Sequence, residues 1–169
     1  ACDATNPAAI NELRRRKKRS EKSFAVMVFD SSVAAKYCDM SASEEAILTS
    51  KEKPIVILCR KLRSSLPVEI APGLRTLGVM LPYTPLHYLL LEPAPGYPEV
   101  LIMTSGNLSE EPIAYTNMAA KSELSGIADG YLLNDRDINI RVDDSVVAEY
   151  RGNAYFFRRS RGFAPNPIQ

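Results

Sequence analysis

Leu101-Ile102-Met103-Thr104-Ser105-Gly106-Asn107-Leu108-Ser109-Glu110-Glu111-Pro112 runs an apolar segment straight into a small polar turn. Strand ends of this kind are where open α/β sheets place their chemistry. If extended geometry continues through Thr104 to Asn107, Ser105 and Asn107 lie two residues apart on one side. Gly106 between them lacks the Cβ that would hold a ligand away. That makes a donor pair with room for a phosphate or a carboxylate. Ser-Gly-Asn is also an ordinary turn from strand to helix, so the rest of the chain decides between the two readings.

Upstream, Leu77-Gly78-Val79-Met80-Leu81-Pro82 reads as a strand, and Thr84-Pro85 starts a helix through Leu91 by setting a cap before a proline. Glu92 to Pro98 is a proline-rich turn region. Nearer the N-terminus, Thr5 and Asn6 as caps and Pro7 in the first turn predict a helix over Ala8 to Lys18, with Ile10 and Leu13 on its buried side. Phe24 to Phe29 and Pro54 to Cys59 are strand-length apolar runs. Between them, Asp30, Ser31 and Ser32 cap a short helix through Tyr37, and Ser41-x-x-Glu44 is a capping box before another helix through about Thr49. Arg60 to Pro72 breaks periodicity and reads as an exposed excursion.

Downstream, Thr116 to Leu124 is a helix, Tyr131-Leu132-Leu133 a short strand and Asn134 to Asp137 a loop. Ser145 to Tyr150 and Tyr155 to Arg159 form a hairpin across Arg151-Gly152-Asn153. Strands alternating with helices and closing on a hairpin predict an α/β domain built on a twisted, mixed open sheet flanked by helices.

A chain of 169 residues, 46% apolar and 24% charged, suits one domain with a real core, here expected over residues 1–163 with a linker beginning at 164–169. The apolar runs are far short of the roughly 20 residues that span a bilayer, and no secretory leader is expected. Cys2, Cys38 and Cys59 are odd in number and never in a C-x-x-C pair. A disulfide framework or a zinc site is therefore not indicated, and a reducing cytoplasm is the expected compartment. Net charge is only +1, yet Arg14, Arg15, Arg16, Lys17, Lys18 and Arg19 form one dense block that asks for an anion.

Lys17-x-Arg19 is either a solvated patch or an anion clamp, in which lysine gives a mobile point charge and arginine a planar fork, with Lys22 adding to it. Arg141-x-Asp143-Asp144-Ser145 opens the hairpin with its aspartates on opposite faces, so at most one of them enters a site, to hold Mg²⁺ or orient an arginine. Arg158-Arg159-Ser160-Arg161-Gly162 is a hairpin surface or a second source of positive charge. There is no G-x-x-x-x-G-K-[ST] loop and no G-x-G-x-x-G, and His87 sits in an apolar helix as a packed residue rather than a general base. The remaining donors and cations suit a reaction catalysed by positioning and by neutralising charge, such as attack on a nucleotide phosphate.

Leu13-Arg14-x-Arg16-Lys17-x-Arg19-x-x-Lys22, Leu81-Pro82-Tyr83-Thr84-Pro85-Leu86-His87, Met103-Thr104-Ser105-Gly106-Asn107, Asp143-Asp144-Ser145-Val146-Val147 and Arg158-Arg159-Ser160-Arg161-Gly162 together resemble the YrdC-like domain of the HypF hydrogenase-maturation carbamoyltransferases. Lys17-x-Arg19 and Ser105-x-Asn107 also look like the K-x-R and S-x-N signatures of threonylcarbamoyl-AMP synthases in the broader family. The resemblance implies ATP-dependent conversion of carbamate to carbamoyl-AMP and pyrophosphate, with ATP and Mg²⁺ as cofactors. Neighbouring domains would then pass the carbamoyl group to HypE for the cyanide ligands of [NiFe] hydrogenase. It implies catalytic roles for Lys17 and Arg19, nucleotide contacts for Lys22, Thr104, Ser105, Asn107, Arg141, Ser145, Arg159 and Arg161, and Mg²⁺ at Asp144.

Three departures accompany the resemblance. Arg19-Ser20 and Lys22-Ser23 stand where relatives carry Arg-Pro and Lys-Pro, and Asn134 stands where relatives often have histidine. The sequence opens inside the domain as relatives have it, so a first strand and a glycine-rich turn are expected to be missing and a sheet edge left open. The alternatives are threonylcarbamoyl-AMP synthesis for tRNA modification, which needs a threonine pocket, RNA binding at the basic helix end with steep salt dependence, and an inert nucleotide-binding scaffold.

Overall fold

Local capping rules start most of the helices. In the computed structural model, which describes residues 1–109 and 111–167, Asn6 accepts from the amides of Ala8 and Ala9 ahead of Pro7 and begins α1 (Pro7–Arg16). Asp30 caps α2 (Ser31–Tyr37), and the Ser41–Glu44 capping box forms in both directions at α3 (Ala42–Thr49). Thr84 caps α4 (Pro85–Leu91) and Thr116 caps α5 (Asn117–Glu123).

The strands are β1 (Cys2–Asp3), β2 (Ala25–Val28), β3 (Cys38–Asp39), β4 (Ile55–Arg60), β5 (Thr76–Met80), β6 (Val100–Met103), β7 (Val146–Tyr150) and β8 (Asn153–Arg158). They form one eight-stranded sheet in the order β1-β6-β2-β5-β4-β7-β8, with β3 pairing the far end of β4. β2/β5 and β4/β7 are parallel and the other pairs antiparallel, so the sheet is mixed and open, as the alternation of elements indicates. β1 is an edge strand, Cys2 facing Ile102 and Asp3 facing Leu101, so β6 has a neighbour on both sides.

Strand alternation divides the core by face. Val26, Val28, Val56, Leu58, Leu77, Val79, Val100, Ile102 and Val147 point to one side, where they pack with Ile10, Ala34 and Leu48 of the first three helices. Met27, Ile55, Met80 and Leu101 point to the other, where Leu91 of α4 covers them and the remainder of that face is open.

Several expectations are revised. The stretch Arg60 to Pro72 is not simply exposed: Leu66, Ile70 and Ala71 are buried, and Val68–Ile70 forms a short 3-10 turn. Tyr131-Leu132-Leu133 forms no strand, for an apolar run without a neighbour to pair with gains no ladder, and it lies exposed. Extended geometry ends at Met103, and beyond it the Asn107 amide donates back to the Ser105 carbonyl at 3.0 Å in a tight turn. Of the expected linker, Ala164 and Asn166 hydrogen-bond back to Ser160 and Phe163, and residues 168 and 169 lie outside the described residues.

Candidate functional site

The C-terminus of α1 sets the site. Lys18 takes φ +51°, and the amides of Lys18 and Arg19 return to the carbonyls of Arg15 and Arg14, a left-handed helix ending normally given to glycine. The reversal separates the basic block by function. Arg15 and Arg16 both bind Glu12 at 2.6–2.8 Å and hold its carboxyl down at about 2, and Arg16 also reaches Asp129 at 2.7 Å. Arg14 is buried on backbone carbonyls. Lys17, only 1% exposed, donates from Nζ to the carbonyls of Ser105 and Asn107, each at 2.6 Å. Most of the block therefore has internal partners, and the expectation that the run as a whole asks for an anion is corrected.

Lys17 ties the helix end to the turn that follows β6. Ser105 Oγ donates to Asn107 Oδ1 at 2.7 Å, and Asn107 Nδ2 donates to the Glu111 carbonyl, so the pair is brought together by a turn rather than by a shared strand face. Burial, reinforced by the Arg19 charge, pushes the Lys17 ammonium down to about 8.

Two connected cavities meet at this turn. The first, about 610 Å³, collects Lys17, Arg19, Lys22, Arg141 and Arg158 opposite Ser105, Asn107 and Ser109, with Glu111 and Asp143 as its acidic groups. The second, about 480 Å³, lies on the open face of the sheet, floored by Ala25, Ile55, Ile57, Thr76, Gly78, Met80 and Met103 and walled by Tyr83, Thr104, Asp143 and Asp144. Arg19, Ser105, Ile113, Asp143 and Arg158 border both. A polycationic end thus opens into a flatter, largely apolar end. Ala25, Ile55 and Val146 begin their strands, Met103 ends β6, and β5 crosses the floor from Thr76 to Met80, so in this mixed sheet the site lies across a face rather than along the carboxyl ends of the strands alone.

Lys17, Arg19, Lys22, Thr104, Ser105, Asn107, Arg141 and Asp144 therefore line the paired cavities. Ser145, Arg159 and Arg161 line neither. Ser145 is fully buried, donating to the Arg161 carbonyl and accepting from the Ser160 amide. Arg159 binds the carbonyls of Phe163 and Asn166. Arg161 donates to Asp144 at 2.8 Å and to the carbonyls of Glu52 and Lys53, and lies 3.5 Å above the Tyr83 ring.

The sequence marks Arg158 and Asp143 only as members of charged runs and gives neither a site role of its own, yet they face each other at 3.6 Å across the cavity rim. A β-bulge between Val146 and Val147 shifts the register so that Arg158 pairs with Val146, and such a bulge cannot be seen in alternation. Asp143 and Asp144 both border the sheet-face cavity, which corrects the expectation that at most one of them reaches a site. Among the described residues no group of three or more His, Cys, Asp or Glu converges on a metal position. His87 packs edge-on to Tyr83 at 4.6 Å with its Nδ1 buried and unpartnered, and burial lowers its pKa, consistent with a packed neutral ring.

An open mixed sheet with a cationic turn at the end of β6 defines a class, the Sua5/YrdC type of α/β domain. Residues 1–160 match the profile of the Sua5/YciO/YrdC family, described as telomere recombination, and the chain belongs to that family. It is 47% identical to carbamoyltransferase HypF2 of Cupriavidus necator over 100% of this chain and 23% of that protein. It is 44% identical to carbamoyltransferase HypF of Synechocystis over 99% of this chain and 21% of that protein. The chain thus spans under a quarter of the length of these relatives. A full-length HypF crystallised in a phosphate- and nucleotide-bound form superposes with TM-score 0.92 at 49% identity, covering 98% of this chain and 26% of that one. Sua5 of P. abyssi complexed with L-threonine shares the fold at TM-score 0.77 and 16% identity, over 94% of this chain and 46% of that one. Among the described residues no helix is long and apolar enough to cross a membrane.

Proposed function

We propose that this domain binds ATP across the paired cavities and activates carbamate as carbamoyl-AMP. A carbamate oxygen forms a bond to the α-phosphorus as the bond to the β-phosphate oxygen breaks, and pyrophosphate leaves with the electron pair. The observation that carries the reading is the continuity of the cationic cleft with the apolar sheet face, one end suited to a polyphosphate and the other to a nucleoside. Lys17, Arg19, Lys22 and Arg158 offset the charge that builds on the phosphates, and Ser105 and Asn107 orient them. Likeness to HypF, one member of which holds a nucleotide, favours this substrate over others.

Mg²⁺ fits as a metal carried in by the nucleotide, since such an ion keeps most of its water and needs only one or two carboxylates. Asp143 and Asp144 on the cavity wall would hold it, Asp144 while also orienting Arg161. The ion would supply charge neutralisation on the phosphate oxygens.

We place this step within a HypF-type carbamoyl transfer to a HypE-type acceptor in hydrogenase maturation. The three unpaired cysteines suit a cytoplasmic setting. RNA binding at the basic helix end is disfavoured because Arg14 is engaged by backbone carbonyls, Arg15 by Glu12, and Arg16 by Glu12 and Asp129.

The test is exchange of labelled pyrophosphate into ATP. Exchange that requires carbamate, generated from bicarbonate and ammonia, and ignores threonine is the expected result. Exchange that appears only with threonine and bicarbonate together would transfer the domain to threonylcarbamoyl-AMP synthesis.

A further inference from the structure

Arg14 lines neither of the paired cavities, yet its side chain organises one rim of the cleft. The residue is only 8% exposed, and its guanidinium donates from Nε to the Glu69 carbonyl at 2.6 Å and from Nη2 to the Ile70 carbonyl at 3.1 Å. Its Nη1 lies 3.1–3.2 Å from the carbonyls of Arg19, Ser20 and Lys22. Three of these five acceptors belong to the loop that carries Arg19 and Lys22 into the cleft. The other two belong to the 3-10 turn, whose Ile70 is wholly buried and whose carbonyl also accepts the Phe24 amide at 2.9 Å. One side chain therefore fastens the loop to a fixed part of the core.

Burying a cation is costly unless every donor is satisfied, and here the acceptors are peptide carbonyls. Arginine suits the position because its planar fork presents five donors in fixed directions, where lysine has three on a single rotating nitrogen. The loop needs such a restraint. Residues 19–23 read Arg-Ser-Glu-Lys-Ser, with no apolar anchor and no proline to fix their backbone. Arg19 completes the arrangement by donating from Nε to the Lys22 carbonyl at 3.0 Å, and both Arg14 and Arg19 lie 4.8 Å from the centroid of the Phe24 ring.

We propose that Arg14 is a positioning residue: without contacting ligand, it holds the 19–23 loop so that Arg19 and Lys22 face the phosphate end of the cleft. This rests on the nucleotide reading above. The test combines amide hydrogen exchange with ATP titration of the wild type, Arg14→Lys and Arg14→Met, alone and in an Arg19→Ala/Lys22→Ala background.

The expected result for both substitutions is exchange at residues 19–24 that is faster by about 10-fold or more, while the amides of β2, β4 and β5 keep their protection. ATP affinity is expected to fall about 10-fold in the otherwise wild-type chain and to change by less than about 2-fold in the double-alanine background, because the effect acts through those two cations. Unchanged exchange in the loop, equal acceleration throughout the sheet, or the same affinity loss in both backgrounds would overturn the proposal. Loss of folding with both substitutions would assign Arg14 to the core and overturn it as well. A wild type that binds neither ATP nor pyrophosphate while showing the expected exchange pattern would sink the nucleotide reading and leave the loop restraint supported.

Discussion

Lys17 is a cation whose ordinary position in a salt bridge has been replaced by two backbone carbonyls. Because burial lowers its pKa to about 8, the folded chain gives up this proton well before an unfolded chain, whose lysine titrates at roughly 10.4. Two opposite trends follow in that window. Folding stability gains a contribution as pH rises through it, since the unfolded state binds the extra proton. ATP affinity falls over the same range, since the phosphate favours the ammonium. Calorimetric titration and thermal melts between pH 7 and pH 10 check both signs, and Lys17→Met should flatten the affinity profile. At the far rim, Arg158→Ala is expected to weaken ATP binding by roughly 10- to 100-fold, the worth of one charge-assisted contact, whereas Arg159→Ala should leave affinity nearly intact and lower the melting temperature. Equal losses of affinity from the two variants would contradict the placement of the bulge.

At the scale of elements, what could be read from the sequence is what is local. Asn6, Asp30, Ser41 with Glu44, Thr84 and Thr116 each cap the helix that begins beside them, and each partner lies within three residues, so a short window contains the whole interaction. The site is less legible because its decisive contacts join distant segments: Arg14 to Glu69, Lys17 to Ser105, Arg161 to Glu52. Arg161 and Ser145 illustrate the cost of that distance. Both sit in a motif that resembles a nucleotide site, yet they bind the structure to itself. Gly162 belongs to the same junction, with φ +87°, and a Cβ added there would lie only 2.6 Å from the Glu52 carbonyl oxygen. Gly162→Ala is therefore expected to destabilise the fold by more than about 2 kcal/mol, measured by urea denaturation. In the other direction, Lys18→Gly relieves a left-handed lysine and should stabilise by about 1 kcal/mol.

Over the whole molecule, a mixed sheet leaves one face partly uncovered, and that bare face is what makes room for a ligand. α1 to α3 close the opposite side, while α4 reaches only one end of the open face. The order of strands and helices sufficed to anticipate an open mixed sheet, because alternation and turn chemistry are written along the chain. The pairing that places the starts of β2, β4 and β7 beside the end of β6 is a property of the assembled sheet, and no single segment contains it. The most direct test is titration of the chain with ATP and Mg²⁺ by calorimetry at low and moderate salt, alongside Ser105→Ala and Arg158→Ala. Saturable binding that weakens with salt and falls at least about 10-fold in each variant is the result expected of a phosphate held between the β6 turn and the hairpin rim. A folded wild-type chain that binds no ATP, or binds it equally well in both variants, would contradict the assignment of this cleft.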